Sequence, residues 1–200
     1  MTDVPLPLRA RQRAATINDI RRAALSLVAE RGFDAVTTED VAAAAGISLS
    51  TLFRHIPSKE SLLVEPLLES ISGLVDAYDA RPHTESAAQA LAAAIVDCMT
   101  DGNPSSSELD SWLNAIRSAP HLINRITLVN PHDRIRLIQQ TAARMHTRDA
   151  DDIKPALLVQ VLLSASEYVF QRWVAGTAPT KVPLPEQVRD ALNTVVDSTW

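Results

Sequence analysis

Between Thr37 and Lys59 the chain gathers hydroxyls and cations: Thr37, Thr38, Ser48, Ser50 and Thr51, then Arg54, His55 and Lys59, with the apolar Leu49 and Phe53 set among them. Donors of these types meet phosphate oxygens and base edges in duplex DNA. Groupings suited to catalysis are missing. There is no Glu-x-x-His pair, no Cys-His pair and no phosphate-cradling glycine loop, which argues against an enzyme and gives no reason to expect a cofactor. Asp149, Asp151 and Asp152 read as acids at a helix start, favoured there by the macrodipole, rather than as cation ligands. His121, His132 and His146 lie too far apart for a metal pattern, and the single cysteine, Cys98, reads as a small core residue.

Such donors act only if a scaffold aims them, and the spacing around them predicts a helical corner. Thr37 can cap a helix start, with Asp40 three residues on as a shortened capping box. After that short helix, Gly46 can take the left-handed conformation of a tight turn, Ile47 plugs the angle, and Ser48 caps the next helix. That second helix buries Leu52. Leu49, Ser50, Phe53 and Arg54 then point away toward base edges, while Thr51, His55 and Lys59 lie near phosphates. A first helix over Arg13–Arg31 supplies the face Ile17, Ile20, Ala24, Leu27 and Val28 against which Val41, Ala45, Ile47 and Leu52 fold back. The expected organisation is a flexible arm over 1–12 within a basic stretch Arg9, Arg11 and Arg13, a three-helix unit over 13–57, and a larger helical domain over 58–200.

In that larger part the spacing predicts a helix from Ser58 toward Arg81, bent at Pro66, then helices over Glu85–Thr100, Ser106–Ala119, His121–His146 with a bend at Pro131, Asp152–Ala175 and Glu186–Thr199. Gly32, Gly46, Gly102 and Gly176 read as helix stops. The Asp152–Ala175 stretch is so apolar between Pro155 and Ala165 that burial on nearly all sides is expected. A composition of 46% hydrophobic but 4% aromatic residues favours an all-α fold. The net charge of −5 excludes indiscriminate nucleic-acid binding, yet residues 1–60 hold 8 Lys+Arg against 7 Asp+Glu, so one end alone suits contact with a duplex. No apolar run approaches the roughly 18 residues that span a bilayer, and the arginines begin before any signal-peptide core, from which a cytoplasmic location is expected.

The run from Ile17 to Leu63 resembles the DNA-binding region of the tetracycline-repressor (TetR) family. The residues that carry the likeness are Glu30-Arg31-Gly32-Phe33, Thr37, Val41-Ala42, Ala45-Gly46-Ile47-Ser48, Thr51-Leu52-Phe53-Arg54-His55 and Pro57-Ser58-Lys59-Glu60. The resemblance implies an N-terminal helix-turn-helix domain on a larger ligand-binding and dimerising domain, in a homodimer that binds a pseudo-palindromic operator and is released by a small-molecule effector. It implies phosphate contacts from Thr37, Thr51, His55 and Lys59 and base contacts from Leu49, Ser50 and Phe53. The family usually has tyrosine where this chain has Phe53, so that contact is expected to be apolar. The stretch Trp112 to Gly176, with Ile116-Arg117, Pro120, Leu122 and Arg125 and then Arg172-Trp173-Val174-Ala175-Gly176, resembles members that bind acyl-CoA-like or other hydrophobic ligands. Trp112, Ile116, Ile126, Leu162, Ser166, Phe170 and Trp173 are the ligand-lining residues expected on that basis. The Asp152–Ala175 and Glu186–Thr199 helices are the expected dimer surface, and Pro66 a weak point in switching. The competing reading is a DNA-binding regulator controlled by a partner protein.

Overall fold

In a computed structural model, residues 8–64, 73–101, 106–147, 152–178 and 181–199 are described. All regular structure in them is helical: α1 (Leu8–Arg31), α2 (Thr38–Ala44), α3 (Leu49–His55), a helical turn at 61–64, α4 (Leu74–Asp79), α5 (Ala87–Asp101), α6 (Ser106–Arg117), α7 (Pro120–Ile123), α8 (Pro131–Arg144), α9 (Lys154–Val174) and α10 (Leu184–Thr199). The chain divides into two compact units, Met1–Glu65 with Ser105–Leu122, and Pro66–Pro104 with Ile123–Trp200. Pro66, Gly102, Asp149 and Asp151 lie outside the described residues, as does most of the bend expected between Ser58 and Arg81. No helix among the described residues is long and apolar enough to cross a membrane.

The first unit is built on α1, whose stripe Ile20, Ala24 and Val28 is buried against α2 and α3. The helix already includes Leu8, five residues ahead of the expected start at Arg13. Leu8 to Arg13 contains only good helix formers, so the basic segment continues the helix toward its N-terminus. Gly32 ends α1 at φ 78°, a left-handed stop that frees Phe33 and Val36 to enter the core. α6 also packs on α1, and Trp112 Nε1 donates to the Leu63 carbonyl at 2.7 Å.

In the second unit, α5, α8, α9 and α10 pack around Leu91, Ile95, Leu158, Leu162, Leu163, Val188 and Leu192, all buried. Arg144 of α8 staples α4 to it. Its guanidinium donates to the carbonyls of Pro82 at 2.8 Å, Arg81 at 3.0 Å and Tyr78 at 3.3 Å, and lies 5.2 Å from the centre of the Tyr78 ring. The Tyr78 hydroxyl donates to the Ala87 carbonyl and accepts from Thr141, and burial raises its pKa.

Two expectations change. The bent helix over His121–His146 is two helices, α7 and α8, because Pro131 opens α8 instead of bending a longer one. Asn130 sits in extended conformation before it and its side chain accepts from Asp133 N at 2.9 Å, while the missing proline N–H is not needed in a first turn. The intervening loop is held by Leu128 N donating to Glu167 and by Gln171 donating to the Ile126 carbonyl. Burial of α9 on nearly all sides is the second. Ile153 just before it, and Leu157 and Tyr168 within it, are 71%, 46% and 61% exposed in the single chain.

Candidate nucleic-acid interface

The corner between α2 and α3 forms from local hydrogen bonds. Asp40 N donates to Thr37 Oγ1 at 3.1 Å and Thr37 N donates back to Asp40 Oδ2 at 3.0 Å, a reciprocal capping box. These bonds, with Arg31 nearby, hold the Asp40 carboxyl below its ordinary value. Gly46 has φ 68°, where an L side chain is strained although a Cβ would meet nothing, and Ile47 N closes the turn on the Ala42 carbonyl at 3.0 Å. Ser48 Oγ then accepts from Thr51 N at 3.2 Å and lies 3.0 Å from Ser50 Oγ and 2.9 Å from Thr51 Oγ1.

Burial sorts the seven residues of α3. Leu52 is fully buried, as is Ile56 just after the helix, which fixes the rotation of α3 in its unit. Ser50, Phe53 and Arg54 face outward, Phe53 at 49% exposure, and Leu49, Thr51 and His55 are half-buried at the sides. Thr37 and Ser48 are exposed, while Thr38 is half-buried with its hydroxyl on Glu39.

His55 sits beneath this face. Its Nδ1 is buried and meets no hydrogen-bond partner among the described residues. Burial, then Arg54, then Arg13 from α1, hold the imidazole below its ordinary value of 6.5. Arg13 is close enough to act on the His55 charge, and Arg9, Arg11 and Arg13 are all exposed on the first turns of α1. Sequence reasoning gave Arg9 and Arg11 to a flexible arm; the absence of any breaker between Leu8 and Arg13 was the signal for a helix.

Lys59, expected to meet phosphate, is half-buried and spends two of its three donors inside the unit. Its Nζ donates to the Phe33 and Val36 carbonyls, both at 2.9 Å, and stands 4.2 Å from the centre of the Phe33 ring. Phe33 also meets the His121 ring, with centroids 5.9 Å apart. The ammonium thereby ties the α1–α2 loop to the segment after α3.

The expected ligand-lining residues fall in both units. Trp112 and Ile116 are buried in the first, on α6, while Ile126, Leu162, Ser166, Phe170 and Trp173 are in the second. Within the second, Phe170 and Trp173 have ring centroids 5.8 Å apart, and the buried Ser166 hydroxyl donates to the Leu162 carbonyl one turn back. A cleft of about 510 Å³ opens elsewhere in the second unit, with Arg81, Glu85, Asp97, Arg189 and Asn193 at its edge, and contains none of these residues.

Residues 20–65 match the family described as bacterial regulatory proteins, tetR family. Over 174 residues the chain is 26% identical to the HTH-type transcriptional regulator TcmR of Streptomyces glaucescens, covering 83% of this chain and 76% of that protein. Among solved structures, Thermus thermophilus FadR, a TetR-family transcriptional repressor in complex with lauroyl-CoA, shares the fold with a TM-score of 0.55 at 20% identity, covering 92% of this chain and 95% of that one. A TetR-family regulator from Streptomyces coelicolor A3 does so with a TM-score of 0.55 at 19% identity, covering 96% and 97%. With a two-helix corner that leaves one face of α3 open, and with that corner inside the segment that matches the tetR family of bacterial regulatory proteins, the chain is a DNA-binding transcriptional regulator.

Proposed function

We propose that this regulator acts in the cytoplasm as a homodimeric repressor that docks two copies of α3 in successive major grooves and is released by a small apolar or acyl-type effector. The observation that carries the DNA part is the sorting of α3. Leu52 locks the helix from behind, while Ser50, Phe53 and Arg54 stand clear of the unit, flanked by Leu49, Thr51 and His55. In this reading Leu49, Ser50, Phe53 and Arg54 meet base edges, Thr37, Thr38, Ser48, Thr51 and His55 meet phosphates, and Lys59 holds the head together from inside. Two heads on a twofold axis call for half-site centres roughly 34 to 36 Å apart, or a multiple of that.

Support for the effector is of a different kind. Ile126, Leu162, Phe170 and Trp173 make an apolar set with one buried hydroxyl, Ser166, and the FadR neighbour holds lauroyl-CoA. Many apolar groups with few polar ones is the composition expected of a site for an apolar ligand. Selection from random oligonucleotides tests the DNA part: enrichment of an inverted repeat supports it, and no enrichment refutes it. A thermal shift on adding lauroyl-CoA, with release of the selected site, supports the acyl effector; no shift across chain lengths removes it in favour of control by a protein partner.

A further inference from the structure

We infer that Phe53 is a methyl reader: its ring packs on the C5-methyl group of a thymine in the major groove, and one such contact per half-site sets operator preference. The inference rests on α3 being the helix that enters the groove. Phe53 is 49% exposed, on a helix whose apolar anchor, Leu52, is completely buried. The ring is therefore surplus to the core of its unit, since a phenyl group with so much surface in water contributes little to folding. Its exposed neighbours on α3 are polar, with Ser50 one turn before it and Arg54 next in sequence. Arg54, exposed and next in sequence, puts a positive charge on the same open side of α3, which suits an anionic duplex better than an apolar protein surface.

The chemistry of the groove narrows the occupant further. Phenylalanine can neither donate nor accept a conventional hydrogen bond, so it gains nothing from the N7, O6, N6, N4 or O4 atoms that bases present. The one apolar group on a base edge in the major groove is the thymine methyl. Ser50 and Arg54, one turn and one residue away, can meet the hydrogen-bonding edges on either side, so the ring sits where a methyl must be present for the register to fit.

The test removes the methyl and nothing else. Once selection has given an operator, each thymine is replaced in turn by uracil, which keeps pairing and every hydrogen-bonding atom, and affinity is measured for the full-length protein and for Phe53→Ala. The wild type should lose about fourfold at one thymine per half-site, the size expected for one buried methyl, and about sixteenfold when both half-sites carry uracil. 5-Bromouracil, with a bromine of methyl size at C5, should restore binding. Phe53→Ala should bind thymine and uracil sites equally, while circular dichroism shows it folded. A specific site at which every thymine tolerates uracil would overturn the inference and leave the DNA reading intact; failure to select any site would overturn both. Uracil sensitivity that persists in Phe53→Ala would assign the methyl to another residue. A change in oligomeric state in Phe53→Ala without DNA, together with uniform tolerance of uracil, would place the ring on protein and also overturn it.

Discussion

At the scale of single residues, His55 and Lys59 divide the work that their charges alone suggest they share. His55 is held below its ordinary value of 6.5, first by burial and then by Arg54 and Arg13. In the free protein the neutral ring is favoured near pH 7. A phosphate brought to its exposed edge favours the imidazolium, so the pKa in the complex is higher than in the free head and binding takes up a proton. Operator affinity should therefore rise as pH falls from about 8 to 6, whereas the free head should lose stability as pH falls from 6.5 through the lowered value. His55→Gln should flatten the affinity profile, and calorimetry in buffers of different ionisation heats should show the proton uptake vanish. A wild-type profile that is already flat would remove the phosphate from His55. Lys59 acts inward. Lys59→Met leaves the Phe33 and Val36 carbonyls without their donor and should cost about 2 kcal/mol, read as a lower midpoint in urea. The salt dependence of DNA binding should not change in that variant. A reduced salt slope in Lys59→Met would return the ammonium to the phosphates.

At the scale of elements, α1 has two jobs along one stripe. Ile20, Ala24 and Val28 face the core, and stepping back by helical turns along the same stripe gives Arg13 and then Arg9. A face that is buried in its middle turns basic at its N-terminal end, where Arg13 is close enough to act on the His55 charge. Arg9→Ala with Arg13→Ala should leave sequence preference unchanged and weaken binding to all DNA, lowering the salt slope by about 0.9 for each phosphate that the head no longer neutralises. An unchanged slope would show that this end of α1 stays off the duplex. The corner itself was legible because its signals are local: Thr37 with Asp40, Gly46 and Ser48 each set one bond or one dihedral within four residues of themselves. The role of Lys59 was not, because its partners lie 26 and 23 residues away and a lysine in sequence carries no mark of which way it points. Pro131 was visible as a breaker, but whether a proline bends a helix or opens one depends on its neighbour. Asn130, a capping residue, was the available clue. The ligand-lining set was the least legible part, since apolar spacing on α6 and α9 reports burial and says nothing about what it is buried against.

At the scale of the whole molecule, the open stripe on α9 asks for a cover. Ile153, Leu157 and Tyr168 recur with helical spacing on one side of a helix whose other side is core, and Arg172 lies 6.0 Å from the centre of the Tyr168 ring. Isolated exposed apolar residues are ordinary, but three in register along α9 and its cap form a seam, and a twofold axis through it would cover each copy with the other. Under that symmetry any substitution counts twice. Leu157→Glu should place two carboxylates near one another in an apolar contact, and Tyr168→Glu should do the same from a position that is 61% exposed and so costs the monomer little. Either variant should sediment as a monomer at micromolar concentration with its helical circular dichroism intact. Operator affinity should fall by about 100-fold or more, because the second head no longer binds at the effective concentration that its partner provides. Random DNA, which one head can hold alone, should be bound almost as before. If Tyr168→Glu stays dimeric and binds its operator normally, the twofold axis does not pass through this seam, and the exposed stripe of α9 would have to be covered by some other protein.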